Sequence, residues 1–295
     1  MHINSDAMCW MNGEIMAASE ASVSVFDHGL LYGDGVFEGI RFYHGAPFRL
    51  LAHLKRLQDS ARAIALTLPL ELELIAEAVE QTIHAFPEAD GYLRLVVTRG
   101  VGTLGINPEN CAAPTMFIIA DHLTMISQEK RLQGVKTIIA ATRRLSPDGL
   151  DPRIKSLNYL NHILARMESN HAGADEALLL NAQGFVAEGT ADNVFIVRDD
   201  VLITPPLSDG ALAGITRATV MEVATTLGIK ARELSVAPYD LYTADECFLT
   251  GTGAELIPVS SIDGRTVPGC PGPVFEQIGL GFHALVEREC RGRQV

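Results

Sequence analysis

Little in this sequence is basic, aromatic or rich in sulfur. Lysine and arginine number 23 against 36 aspartates and glutamates, the formal charge is −13, and aromatic residues make up 6% of the 295. No basic run interleaved with aromatics occurs, which argues against a nucleic-acid-binding surface. The five cysteines, Cys9, Cys111, Cys247, Cys270 and Cys290, are scattered and form no C-x-x-C pair. Neither a metal site nor a disulfide framework is expected, and a reducing compartment fits. No apolar run is long enough to cross a bilayer. The polar N-terminus lacks the apolar segment of a signal peptide. The chain also lacks G-x-G-x-x-G opening a helix and G-x-x-x-x-G-K-[ST], which removes the common nucleotide-phosphate loops. What is left is expected to be a cytoplasmic enzyme with one large or two medium domains and, at 47% hydrophobic residues, a substantial core.

Periodicity and turn residues outline the elements. Asn12-Gly13 predicts a hairpin over residues 8–16. Alternation predicts strands over 21–26, 91–99 and 114–120. Four glycines between Gly29 and Gly39 mark a tight loop feeding a strand, and a purely structural turn accounts for them equally well. Apolar spacing predicts helices over 50–66 and 72–85. Arg56 lies off the apolar stripe of the first, where a solvated charge is the ordinary reading. Tyr92 and Arg94 share one face of their strand, a geometry suited to holding a carboxylate. From Asp121 the chain turns polar and loses periodicity. The expected division is a small domain over 1–120, a linker over 121–134 and a large domain over 135–295.

The second half centres on Lys155. Leu157, Leu160, Ile163, Leu164 and Met167 follow at helical spacing, which predicts a helix from about Ser156 to Asn170 with Lys155 at its N-terminus. The helix dipole there disfavours a cation and would favour the neutral amine that a nucleophilic lysine needs. An exposed lysine after a loop is the plainer account. Two loops downstream offer backbone N–H groups to an anion: Gly214-Ile215-Thr216-Arg217, which opens a helix, and Thr250-Gly251-Thr252-Gly253, which follows a strand. Glu188 stands at a strand end, the place of a surface turn residue or of a carboxylate facing a pyridine nitrogen.

Six stretches occur in a telling order: Tyr32-Gly33-Asp34-Gly35-Val36-Phe37-Glu38-Gly39-Ile40-Arg41, His53-Leu54-Lys55-Arg56-Leu57, Lys155-Ser156-Leu157-Asn158-Tyr159, Glu188-Gly189 with Asn193-Val194-Phe195, Gly214-Ile215-Thr216-Arg217, and Thr250-Gly251-Thr252-Gly253-Ala254-Glu255. In these the chain resembles the class IV aminotransferases, pyridoxal-phosphate enzymes of fold type IV, and among them the branched-chain amino-acid aminotransferases. The resemblance implies an α+β, two-domain fold like that of D-amino-acid aminotransferase. The small N-terminal domain would be α/β, and the larger C-terminal one would carry a mainly antiparallel sheet or barrel. It implies that Lys155 forms the Schiff base with pyridoxal 5'-phosphate, that Glu188 pairs with the pyridine nitrogen and that Tyr159 meets the 3-hydroxyl. Arg56, Ile215, Thr216 and Thr252 would hold the phosphate, and Leu212 would pack on the ring. Tyr32, Phe37, Arg41, Tyr92, Arg94 and Gly253 would line the substrate site, with Arg94 taking a distal carboxylate. Transfer from leucine, isoleucine or valine to 2-oxoglutarate with ping-pong kinetics is the implied activity, in a homo-oligomer that is at least a dimer. Tyr32 and the loop 100–108 would reach a partner subunit's site. The alternatives are a D-amino-acid or (R)-amine transaminase, an aminodeoxychorismate lyase, or a non-catalytic ligand-binding protein on the same fold.

Overall fold

The computed structural model describes residues 6–124 and 126–291. They form two compact units. One takes the chain up to Leu123, Ile154–Asn158 and the chain from Val286; the other takes Thr124–Arg153 and Tyr159–Leu285.

The first unit holds β1 (Met8–Met11), β2 (Glu14–Ala17), α1 (His28–Tyr32), β3 (Gly35–Tyr43), β4 (Ala46–Pro47), α2 (Leu50–Ala63), α3 (Leu72–Ala85), β5 (Gly91–Thr98) and β6 (Thr115–Asp121). Its six-stranded sheet runs β2-β1-β6-β5-β3-β4 and is antiparallel throughout. The Asn12-Gly13 hairpin forms as its turn residues predict. On α2, Leu50, Leu54, Leu57 and Ala61 recur every three or four residues, so they share one face. That face and Ile75, Val79 and Ile83 of α3 pack with Ile40, Phe42, Leu93, Leu95 and Ile118 of the sheet. Each such side chain contributes about 1.5–3 kcal/mol on leaving water.

The second unit holds α4 (Gln128–Gln133), β7 (Val135–Ile139), α5 (Leu160–His171), β8 (Glu176–Leu180), β9 (Val186–Gly189), β10 (Asn193–Arg198), β11 (Val201–Thr204), α6 (Ile215–Thr226), β12 (Ala231–Glu233), α7 (Pro238–Tyr242), β13 (Glu246–Gly251), β14 (Glu255–Ile262), β15 (Arg265–Thr266) and, as far as Leu285, α8 (Pro273–Arg291). Its sheet follows β12-β11-β10-β13-β14-β7-β8-β9, with β15 on β14. The pairs β11/β12, β14/β7 and β7/β8 are parallel and the others antiparallel. Apolar residues of β8, β10, β13 and β14 form its core.

Two sequence expectations fail, each for a reason visible in the backbone. The helix predicted from Ser156 begins at Leu160, because the run before it is used as a strand. Phe37 N–H donates to the Lys155 carbonyl at 3.0 Å, and Leu157 N–H donates to that of Gly35 at 3.0 Å. Ser156 bridges Val36. Lys155 therefore stands five residues before the helix and is not set in its dipole. The strand predicted over 21–26 does not form either. The Ser24 carbonyl accepts from Asp27 N–H at 3.0 Å in a local turn, and Val25 and Phe26 stay exposed. Asp27 then caps the short α1, accepting from Gly29 N–H at 2.8 Å.

Leu54 is fully buried on α2, whereas Leu51 is 75% exposed on the same helix. Leu54→Ala is expected to cost about 2–5 kcal/mol, and Leu51→Ala less than about 0.5 kcal/mol. Urea unfolding of both variants checks the pair.

Candidate active site

In the first unit the antiparallel register of β3 and β5 sets Gly39 opposite Arg94 and Arg41 opposite Tyr92. Side chains of Phe37, Gly39, Arg41, Tyr92 and Arg94 therefore share one face. Gly39 is needed there, because a Cβ in its place would collide with the Tyr92 hydroxyl. The Arg94 guanidinium lies 4.5 Å from the Phe37 ring centroid and 5.5 Å from that of Tyr92. On the same Phe37 ring, at 4.4 Å, lies the ammonium nitrogen Nζ of Lys155. Burial pushes the Tyr92 phenol up, although Arg94 opposes it. Arg41 Nη2 donates to the Leu123 carbonyl at 3.4 Å. Backbone bonds to β3 fix Lys155, and its own N–H donates to Ser60 Oγ of α2 at 3.1 Å.

The other face of β3 carries Glu38, which is fully buried. Arg56 grips it with two nitrogens, Nε to Oε1 at 2.7 Å and Nη2 to Oε2 at 2.8 Å. His53 Nδ1 lies 2.7 Å from Oε2. Burial alone would raise the Glu38 carboxyl, but Arg56 and then His53 outweigh it and hold it well below the carboxylate range. Burial lowers His53 in spite of Glu38, so the imidazole is neutral and Nδ1–H donates. Neither Glu38 nor His53 was singled out from sequence. The available signal was a carboxylate at an inward position of a strand, between Val36 and Ile40. Tyr32 stands on α1, where its hydroxyl accepts from Gly105 N–H at 2.9 Å.

In the second unit β9 ends at a buried carboxylate. Glu188 Oε1 is 2.8 Å from Arg144 Nε, and Oε2 accepts from Leu212 N–H at 2.8 Å. Arg144 is itself buried and also donates to the Gly210 carbonyl at 3.2 Å. Asn193 Nδ2 donates to the Leu212 carbonyl at 3.0 Å. The Asn193 amide also fills the space where Gly214 would carry a Cβ, so only glycine fits at that helix cap. With no capping side chain on Gly214, the N–H groups of Ile215 and Thr216 have no intrahelical acceptor. The Thr250 hydroxyl is buried without a hydrogen-bond partner, two residues before Thr252. Thr252 and Gly253 lie in the turn between β13 and β14. Tyr159 immediately precedes α5. Arg144 and Asn193 escaped the sequence reading; an arginine in an irregular stretch gives no signal of its partner.

These features fit pyridoxal phosphate. An open helix cap and an orphaned hydroxyl suit a phosphate. A carboxylate fixed by two donors suits a ring nitrogen. The amino-acid comparisons agree. The description Amino-transferase class IV matches residues 35–262. A Methanocaldococcus jannaschii relative, only provisionally named a branched-chain-amino-acid aminotransferase, is 50% identical over 258 residues, 88% of each chain. The Escherichia coli branched-chain amino acid aminotransferase superposes with a TM-score of 0.91 at 35% identity, over 95% of this chain and 94% of that one. The branched-chain enzyme of Thermobaculum terrenum, solved in its PLP-form, gives 0.85 at 32% identity over 97% of this chain and 96% of that one. The chain belongs to the class IV aminotransferases, which are pyridoxal-phosphate enzymes of fold type IV.

Glu38→Ala is expected to cost about 3–5 kcal/mol at pH 7, because Arg56 loses its buried partner. The folded-state pKa of Glu38 is depressed. Its contribution is therefore complete above the unfolded carboxylate value of about 4.3 and fades as pH falls below it. Urea-unfolding midpoints of the wild type and the variant should begin to approach each other below about pH 5 and keep approaching down to the lowest pH at which the wild type stays folded, because the folded-state value lies well below the carboxylate range.

Proposed function

We propose that this aminotransferase moves the amino group of L-leucine, L-isoleucine or L-valine to 2-oxoglutarate in a ping-pong cycle. One observation carries the reading: the Lys155 amine and the Arg94 guanidinium both lie against the Phe37 ring, at 4.4 and 4.5 Å from its centroid. A reactive amine beside an apolar wall suits an aliphatic side chain. The guanidinium against the same ring suits the distal carboxylate of the alternate substrate. One site thus accepts both partners of the exchange. Phe37 and Tyr92 form the walls, with Tyr32 reaching in from a second copy of the chain, Arg41 and Gly253 complete the lining, and Arg94 takes the carboxylate.

Pyridoxal phosphate supplies, when bound, an electron-withdrawing ring that accepts the electron pair left at the substrate α-carbon. Lys155 anchors it and moves the proton at that carbon. Glu188 holds the ring nitrogen, with Arg144 and the Leu212 N–H fixing its carboxylate. Tyr159 meets the 3-hydroxyl and the Leu212 side chain packs on the ring. Ile215, Thr216, Thr252 and Arg56 hold the phosphate, and the grip of Glu38 sets the direction of the Arg56 guanidinium.

We also read the working form as a cytoplasmic homodimer. Leu160, Ile163, Leu164 and Met167 form an exposed apolar stripe on α5, and Leu30, Leu104 and Ile106 are exposed around α1 and the loop 100–108. Patches of this kind mark interfaces. The His28 Nε2–Thr103 carbonyl contact at 3.0 Å and the Tyr32–Gly105 bond tie that loop to α1, as a loop serving a partner's site requires.

The test is a half-reaction series on the purified yellow enzyme, with L-leucine, L-glutamate, D-alanine and (R)-1-phenylethylamine in separate cuvettes. Rapid bleaching by the two L-amino acids supports the assignment; bleaching mainly by D-alanine or the amine overturns it. Lys155→Ala should bleach with none of them. Arg94→Met should raise the glutamate requirement about 10- to 100-fold, the worth of a hydrogen bond to a charged group, and leave leucine nearly unchanged. Light scattering should find a dimer or larger, and Met167→Glu should shift it toward monomer.

A further inference from the structure

Helix α5 carries its apolar residues outward. Leu160, Ile163, Leu164 and Met167 are exposed, while His162, Ala165 and Ser169 are buried. Of the inward three, only His162 is bulky, and it is 8% exposed. A buried imidazole is costly unless its nitrogens are engaged. Here Nδ1 lies 2.7 Å from the Thr190 carbonyl oxygen. A carbonyl can only accept, so Nδ1 carries the hydrogen. The same ring lies almost flat on Tyr159, with centroids 4.5 Å apart and 17° between the planes. Thr190 is held in turn, because its N–H donates to Glu176 at 3.1 Å and its hydroxyl donates to the same oxygen. Thr190 stands two residues after Glu188. One imidazole therefore touches both the residue that opens α5 and the turn that leaves β9.

We propose that His162 is a positioning residue for the cofactor. Its ring sets the plane of Tyr159, and its Nδ1–H pins the turn that follows Glu188, so the two groups reach the pyridine ring from fixed directions. This rests on the roles of Tyr159 and Glu188 proposed above. A tyrosine ring just before a helix can swing about two side-chain torsions, and a parallel ring packed against it removes most of that freedom. Small displacements of positioning groups are costly to the chemistry they serve. The two contacts can be separated. Leucine in place of His162 fills much of the volume with neither a flat face nor a donor. Phenylalanine keeps the flat face and lacks the donor.

Apo forms of the full-length wild type, His162→Leu, His162→Phe and Tyr159→Phe would be titrated with pyridoxal phosphate. The readouts are the Kd and the visible circular dichroism per bound cofactor, which reports ring orientation; far-UV spectra and thermal midpoints monitor folding. His162→Leu is expected to weaken binding about tenfold and to reduce the visible band by about half. His162→Phe should restore most of the band. A leucine variant with wild-type Kd and band, or a phenylalanine variant no better than leucine, overturns the proposal. Tyr159→Phe separates the two possible failures. Wild-type values in that variant sink the role of Tyr159 itself. An altered Tyr159→Phe beside a silent His162→Leu sinks only the role of His162.

Discussion

A short backbone seam decides where Lys155 stands. Residues 154–158 lie along the start of β3, with Phe37 N–H bonded to the Lys155 carbonyl and Leu157 N–H to that of Gly35. Backbone pairing of this kind is rigid, because each bond fixes a residue at both ends and unpaired groups are costly when buried. The seam places Lys155 against Phe37, and through the register of β3 with β5 it also fixes where Arg94 and Tyr92 stand relative to the amine. An amine tethered only by a flexible loop would lose this alignment with Phe37 and Arg94.

The buried charges follow a second rule: each one identified in the candidate site is held before any ligand arrives. Glu38 is gripped by Arg56 and His53, and Glu188 by Arg144 and the Leu212 N–H. A buried carboxylate without partners would take up a proton and lose its directing value. In the first pair the Arg56 cation keeps the Glu38 carboxylate ionised, and in both the geometry leaves the carboxylate aimed in one direction. Preorganisation of this sort adds little net stability, since desolvation offsets most of the attraction. Its effect is on orientation, which is set before any ligand binds.

The sequence makes the strands and the long helices legible where one face is buried. α2 and α3 follow from leucine spacing, the first hairpin from Asn12-Gly13, and α6 from Gly214. Lys155, Glu188, Arg94 and the two anion loops stand out because their neighbours form an ordered set of motifs. What stayed hidden depends on distant partners. Ser156 and Leu157 carry helical spacing, yet β3 claims their backbone. Arg144 stands 44 positions before Glu188 in the sequence, and nothing local to either announces the pair. The strand expected at 21–26 has suitable alternation, but the Ser24 carbonyl is taken by Asp27 N–H in a local turn, so the turn wins.

Helix α5 shows why periodicity and direction are separate questions. The spacing of Leu160, Ile163, Leu164 and Met167 correctly marks a helix, and the ordinary assumption turns that stripe inward. In the structure the stripe faces out, and His162, Ala165 and Ser169 face in. Small inward residues let the helix lie close to β8, and the one bulky residue among them meets Tyr159 and Thr190 through specific contacts. Four exposed apolar side chains at consecutive turns are costly for an isolated subunit. A second copy covering them would remove that cost and hold α5 from its outer side while His162 holds it from within. Assembly and the placement of Tyr159 would then depend on the same helix, so a charge placed on the outer stripe should loosen both together.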